Sequence, residues 1–324
     1  MLRFFGGKAA QYGLVLLVTV TLNFLLPRMM PGSPLANLAG EEVGSLTAQE
    51  RDQVMRQAGL DRPLHEQYAL YLGELARGEL GYSYQRQRPV ADVLVERLPW
   101  TLLLTGVALI ASTLLGVLFG ALAGWRRGRR SDLGALGIFI FLESLPGFWL
   151  AMILVAVFAV QLRIFPTFGA RDLYGGLQGV AYWVDVGRHL VLPAATLILV
   201  TVSATFLTMR ASMLSVLGEE YITVARGKGL GERQVLFRHA VRNALLPVAT
   251  VFLLNLGQTV AGATVIETVF SYPGIGRLMY EAVLARDYPM LQGGFLVITL
   301  SIVAANMLAD LAYPLLDPRV VRRG

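Results

Sequence analysis

The chain has 324 residues, 55% of them hydrophobic and 15% charged, with a formal net charge of +6 and no cysteine. A soluble domain carries about 25% charged residues, so lipid is the expected solvent for much of this chain. Disulfide and thiol chemistry are excluded. His65, His189 and His239 lack metal-ligand spacing, and the basic residues sit in short loops between apolar runs, which argues against nucleic acid.

A bilayer core takes about 20 apolar residues of helix. Uncharged runs predict spans at Ala9–Pro27, Leu98–Trp125, Leu190–Met209, Ala244–Ile266 and Tyr288–Ala309, with a sixth at Leu133–Leu162 interrupted by Glu143 alone. Residues 1–30 are then a first transmembrane helix and 31–97 an external segment. Residues 98–324 form a five-helix core with a polar loop at 216–245. The first span follows Arg3 and Lys8 as a secretory signal would, but no small-x-small cleavage site follows and its length suits an uncleaved anchor.

The 31–97 segment predicts two short helices. "LTAQERDQVMRQAGL" opens on a Thr47–Glu50 capping box and closes at Gly59, and "RPLHEQYALYLGELARG" opens at Pro63 and closes at Gly78. The segment is too small for a sizeable core of its own, so packing on the membrane region or on a partner is expected. In the second span Gly116, Gly120 and Gly124 recur at small-xxx-small spacing, which lets helix backbones approach closely. Either they form a packing seam, within the chain or with a partner, or they reflect chance among 34 glycines.

"WRRGRRSD" after this span gives the clearest orientation signal. With both termini inside, the inner segments hold 15 of the 28 Lys and Arg residues against 6 in the short outer loops. In the third span Glu143 and Ser144 precede Pro146, which cannot donate to the helix ladder, so a kink or break is expected. A central acid is costly in lipid and faces protein or water. It either lines a pathway with Ser144 and Pro146 or bonds the freed backbone N–H groups.

Between the fourth and fifth spans lies "EEYITVARGKGLGERQVLFRHAVRNALLP", residues 219–247. Glu219 and Glu220 suit a helix start, Lys228 its last turn, and Gly229 a left-handed cap. Gly231 and Glu232 open a second helix expected to end near Pro247. Val235, Leu236, Phe237, Ala240 and Val241 give it an apolar flank beside Arg238 and Arg242. An amphipathic helix lying on anionic headgroups has a similar composition, but it has no need of a sharp turn. "ARGKGL" is no P-loop, because glycine stands where Ser or Thr would hold magnesium and Ile222 occupies the first glycine's place. Further on, "SYPGIGRLMYEAVLARDYP" predicts a turn at Pro273–Gly274 and a short amphipathic helix with Leu278, Met279, Ala282 and Val283. It caps the outer mouth, meets a partner or packs as an ordinary loop. Asp310 lies toward the inner end of the last span.

The 219–247 stretch resembles the cytoplasmic coupling loop of ABC importer permeases of the peptide type, whose wording runs "AR-x-KGL…RHxxRNAL-x-P". Ala225, Arg226, Gly229, Leu230, Phe237, Arg238, His239, Asn243 and Pro247 match that loop. Val224 departs from it, standing where many permeases carry a glutamate. "LDRPLHEQYALYLGELARGELGYSY", "ESLPGFWLAMILV", "ETVFSYPGIGRLMYEAVLARDYPMLQGG" and "ADLAYPLLDPRV" resemble other segments of the same branch in the same order. The resemblance implies an all-α membrane protein of six transmembrane helices with the type I ABC importer permease architecture, multi-pass in a prokaryotic cytoplasmic membrane. It implies a half-pore paired with a like permease subunit, two cytoplasmic ABC ATPases and an extracytoplasmic solute-binding protein. ATP and magnesium would belong to the ATPases, with no catalytic residue, metal or cofactor on this chain. The branch carries di- and oligopeptides, nickel chelates, glutathione and some oligosaccharides. Two rivals stay open, a non-transporting membrane anchor and a proton-coupled secondary transporter using Glu143 and Asp310. The latter calls for paired repeats with matching broken helices, and only one broken span is legible.

Overall fold

The computed structural model describes residues 2–29, 47, 49, 61–83, 85–258 and 263–316. Apart from Thr47 and Gln49, the expected capping box to Glu50 and its helix to Gly59, together with the last eight residues, lie outside that set. The described chain is helical apart from one two-stranded hairpin. Four helices are long and apolar enough to cross a membrane: Val90–Trp125, Gly179–Leu217, Glu232–Leu256 and Tyr288–Leu311. Arg130–Ser144 and Gly147–Gln161 make one further crossing if the 99° bend between them counts as a broken span. The first helix contains a shorter apolar stretch, Ala10–Leu25.

The chain divides into two compact units, and residues 273–303 group with 1–100 rather than with the rest of the expected core. The first unit contains α1 (Leu2–Met29), α2 (Leu64–Ala76) and the hairpin of β1 (Tyr82–Ser83) and β2 (Arg88–Pro89). It also holds the first residues of α3 (Val90–Trp125). Pro63 precedes α2, and its carbonyl accepts from the N–H groups of Glu66 and Gln67. Gly78 closes the helix at φ +79, with bonds from Gly78 to Leu75 and from Glu79 to Glu74. Phe24 of α1 meets the rings of Tyr68 and Tyr71.

The hairpin was not legible beforehand, since two-residue strands show no alternation. It pairs Tyr82 with Pro89 and Ser83 with Arg88. Buried Ser83 donates from Oγ to Asp287 and accepts the Arg86 N–H. The same unit includes α11 (Ile275–Leu284) and the start of α12 (Tyr288–Leu316). Its core joins Val90, Val93 and Leu94 to Ile275, Leu278, Met279, Ala282 and Met290. Thus the segment leading to α3 shares a core with the loop before the last span. Val283, grouped in sequence with Leu278, Met279 and Ala282, is exposed, since at about 100° per residue it falls past the edge of the arc those buried residues share.

The second unit carries the rest of α3, then α4 (Arg130–Ser144), α5 (Gly147–Leu154) and a π-helical stretch Val155–Gln161. Next come α6 (Gly179–Leu217), α7 (Glu220–Gly227) and α8 (Glu232–Gln234). A π-helical stretch Val235–Val241 leads from α8 into α9 (Arg242–Gln258), and α10 (Thr264–Val269) follows. Three expectations change here. The fourth helix extends past both ends of Leu190–Met209. The helix opening at Gly231 does not end near Pro247 but runs through it. The expected span 244–266 is two helices, α9 and α10, with residues 259–262 outside the described set.

In the first unit, Arg86 and Arg277 both donate to Glu281 at 2.7 Å. Burial raises the Glu281 carboxyl, but the two guanidinium bonds outweigh it and hold the group below the ordinary carboxylate range. A lowered folded value means stabilisation that is full above the ordinary value and is lost as pH falls through the depressed one. Glu281→Gln is expected to lower thermal stability at neutral pH by under about 1 kcal/mol, since solvent screens the group. The gap between variant and parent should close on acidification. A gap that widens in acid would contradict this assignment.

Candidate functional site

The 219–247 stretch folds as two helical arms around one turn. Gly231 opens the second arm with its carbonyl, which accepts from Gln234 and Val235. The first arm, α7, ends in a left-handed cap at Gly229, φ +75. Leu230 N–H bonds the Ala225 carbonyl at 3.4 Å and Gly229 N–H bonds that of Arg226 at 2.9 Å, the paired bonds of a Schellman turn. A Cβ at Gly229 would meet nothing within 4 Å of this chain, so glycine is needed there for backbone angle and not for internal space.

Helical spacing sorts the arms into two faces. Ile222 and Ala225 of α7 are buried with Val235, Leu236, Ala240, Ala244 and Val248 of the second arm. That cluster closes over Met209 and Met213 of α6 and Ala121 of α3, with Leu230 packed against it. The opposite face leaves large side chains in solvent: Tyr221, Val224 and, at 62% exposed, Phe237. Phe237 therefore departs from the apolar flank that includes its neighbours Val235 and Leu236. Arg238 is also exposed and His239 half-buried. Asn243 ties the arms together, donating to Tyr221 Oη at 3.1 Å and to the His239 carbonyl at 2.9 Å. Arg226 lies 3.3 Å from Glu232 across the turn and over the ring of Trp125 at 5.4 Å. Pro247 is an exposed residue inside α9.

The surface supporting this element is built by the three glycines. A Cβ at Gly116 would stand 2.7 Å from Thr205 Cβ, at Gly120 2.6 Å from the Phe206 carbonyl oxygen, and at Gly124 2.6 Å from Met213 Cβ. Each lies against α6 of the same chain. The other expected site, around Glu143, sits at the break between α4 and α5. Leu145 is extended (φ −80, ψ 131) and Pro146 precedes α5. Glu143, Ser144 and Pro146 are exposed. Ser144 Oγ donates to the Phe141 carbonyl, and Glu143 makes no hydrogen bond among the described residues.

Sequence reasoning missed one feature of this region. Asp132, fully buried, accepts both forks of Arg210, from Nε at 2.7 Å and Nη2 at 2.9 Å, and also the Gly128 N–H at 2.9 Å. Arg210 had marked the end of a span, yet it lies inside α6. The signal was present: a lone acid among four arginines, and a lone base within an otherwise uncharged helical run.

Family comparison agrees with this architecture. The model of the binding-protein-dependent transport system inner membrane component matches residues 116–322, and that of the N-terminal region of such membrane components matches 1–105. The chain belongs to this family. It is 36% identical to the di/tripeptide transport system permease protein DppB of Pseudomonas aeruginosa (strain UCBPP-PA14) over 92% of this chain and 93% of that one. It is 37% identical to the dipeptide transport system permease protein DppB of Escherichia coli (strain K12) over the same shares. It is also 34% identical to the oligopeptide transport system permease protein AppB of Bacillus subtilis (strain 168), covering 94% and 95%. The chain is thus a multi-pass inner-membrane permease, a transport component and not an enzyme. The readings as a non-transporting anchor and as a proton-coupled transporter are set aside.

Breaking a buried pair by removing one partner costs about 3–5 kcal/mol, because the other charge is left without compensation. Asp132→Ala and Arg210→Ala are each expected to lose that much in detergent unfolding. Asp132→Leu with Arg210→Met should lose less than either single change. Two single losses below about 1 kcal/mol would show that the pair does not hold this end of the unit.

Proposed function

We propose that this chain is one half of the transmembrane pore of an ATP-driven importer of short peptides. It has six spans with both termini in the cytoplasm and pairs with a second permease subunit. Two ATPase subunits, which bind ATP and magnesium, meet the 219–247 element on the cytoplasmic side, and an external binding protein delivers the solute. Glu143, Ser144 and Pro146, exposed beside the helix break, line the pathway. The relatives' names support peptides as the solute class, and the arginine-rich turn after Trp125 supports the orientation.

One observation carries the coupling role. The element buries one face against α6 and α3 and presents Tyr221, Val224, Phe237, Arg238 and Arg242 on the other. An exposed aromatic beside cations, on an element locked by a Schellman turn and by Asn243, has the make-up of an anchor for a protein groove. A helix resting on headgroups needs neither the turn nor the tie. Displacing such an element moves α6, whose Met209 and Met213 lie in its core.

Left-handed backbone costs a residue with a side chain about 1–2 kcal/mol, and Asn tolerates it better than most. In proteoliposomes of the assembled importer, Gly229→Val is expected to keep insertion and ATP hydrolysis while peptide uptake falls about tenfold or more. Gly229→Asn should retain most uptake if backbone angle is the requirement. Loss in both variants would point to close approach by the ATPase instead. Unchanged uptake by Gly229→Val would remove the coupling role.

A further inference from the structure

We propose that the turn between α3 and α4 is a built site for the headgroup of an anionic phospholipid. Arg126, Arg127, Arg129 and Arg130 are all exposed, and among the described residues none forms an ion pair. The acid beside them, Asp132, is turned inward and taken up by Arg210, so it does not neutralise the patch. Four cations therefore face outward with no acid bonded to them among the described residues.

The turn is held in one shape. Gly128 adopts φ +76 and its N–H is fixed on Asp132, while Arg129 N–H bonds the Arg126 carbonyl at 3.0 Å. The Arg129 carbonyl in turn accepts from Asp132 and Leu133 to open α4. A fixed arginine cluster can hold a phosphate by several bidentate forks without losing further loop entropy on binding.

Depth selects lipid over a soluble partner. Exposed apolar side chains run along α3 through Leu118 and Phe119, and resume on α4 at Leu133, three residues after Arg130. Exposed apolar surface therefore comes within about 10 Å of Arg126 along α3 and within one turn of Arg130 along α4. Out and back at about 3.5 Å per residue, a four-residue turn reaches under about 8 Å past the helix ends. That is comparable to one headgroup layer, about 5–8 Å thick. Juxtamembrane clusters of this size draw anionic lipid. The inference goes beyond the transport role and needs neither its direction nor its solute.

The test is native mass spectrometry of the full-length chain in detergent, titrated with phosphatidylglycerol, with phosphatidylcholine, and with inorganic phosphate as competitor. The parent chain should retain phosphatidylglycerol in preference to phosphatidylcholine, with little competition from phosphate. Each single Arg→Gln change should weaken retention about fivefold, and the fourfold change about a hundredfold or more. Changing all four to lysine keeps the charge that orients the chain but removes the forks, and should weaken retention less than the fourfold glutamine change. Equal retention of both lipids by the parent, unchanged retention in the glutamine variants, or full displacement by phosphate would each overturn the site. So would glutamine variants of the assembled importer, measured the same way, that keep the lipid but shed the ATPase, since the patch would then belong to a protein partner.

Discussion

The second unit depends on how closely two helix backbones approach. Between Gly116 and Gly124, α3 lies so near α6 that any side chain would collide with backbone atoms of Phe206 and Arg210 or with the Cβ of its neighbours. Apolar attraction between helices gives little inside a bilayer, because lipid tails solvate leucine as well as a neighbouring helix does. Dispersion at short range has to hold the pair together, and glycine at every fourth position provides it. The seam sets the height of Met209, Arg210 and Met213 along α6. The ion pair and the apolar support of the 219–247 element are both built on those residues.

From that height the connections run in two directions. Toward the turn element, Met209 and Met213 sit in one core with Ile222, Ala225 and Val235. Toward the break in the third span, α4 is fastened to α6 at three levels. Asp132 holds Arg210, Phe139 stacks on Phe206 at 4.1 Å, and Ser203 Oγ donates to the Phe139 carbonyl at 2.7 Å. Past the break, Gly147 at the start of α5 lies against Val200 and Ile266. Both halves of the broken helix therefore pack on α6, and so does the exposed element near its C-terminal end.

Features set by near neighbours in the chain were legible in the sequence. The cap at Gly229, the opening at Gly231, the close of α2 at Gly78 and the break at Pro146 each need only a few adjacent residues. Features set by distant partners were not. Arg210 reads as the end of a span until Asp132, 78 residues earlier, neutralises it inside α6. Pro247 reads as a stop, since it removes a donor and crowds the carbonyl four residues back, yet the helix continues through it. The glycine seam was visible as a spacing, while its partner helix was not, because nothing in α3 names α6. Glu143 was read at the right place, at a break, but its exposure depends on which neighbours surround it in space.

A buried ion pair is a weak device for stability, since well-packed apolar residues of similar volume serve as well or better. Its effect at Asp132 is geometric. The two forked bonds from Arg210 fix the rotation and height of α4 on α6, and the Gly128 N–H holds the carboxylate in place for them. Sliding by one helical turn, about 5.4 Å, would break both bonds and leave the buried Asp132 without its countercharge. The stack at Phe139 and the bond from Ser203 oppose the same slide. So α4 and α6 form one block, and beyond the C-terminal end of each helix the backbone turns extended at a nearby point. One is Leu145, at ψ 131, where the third span bends; the other is Glu219, at ψ 144, where the exposed element begins. Leu145 with Pro146 at the bend, and Glu219 ahead of the exposed element, are extended positions where a rigid block of this kind can turn.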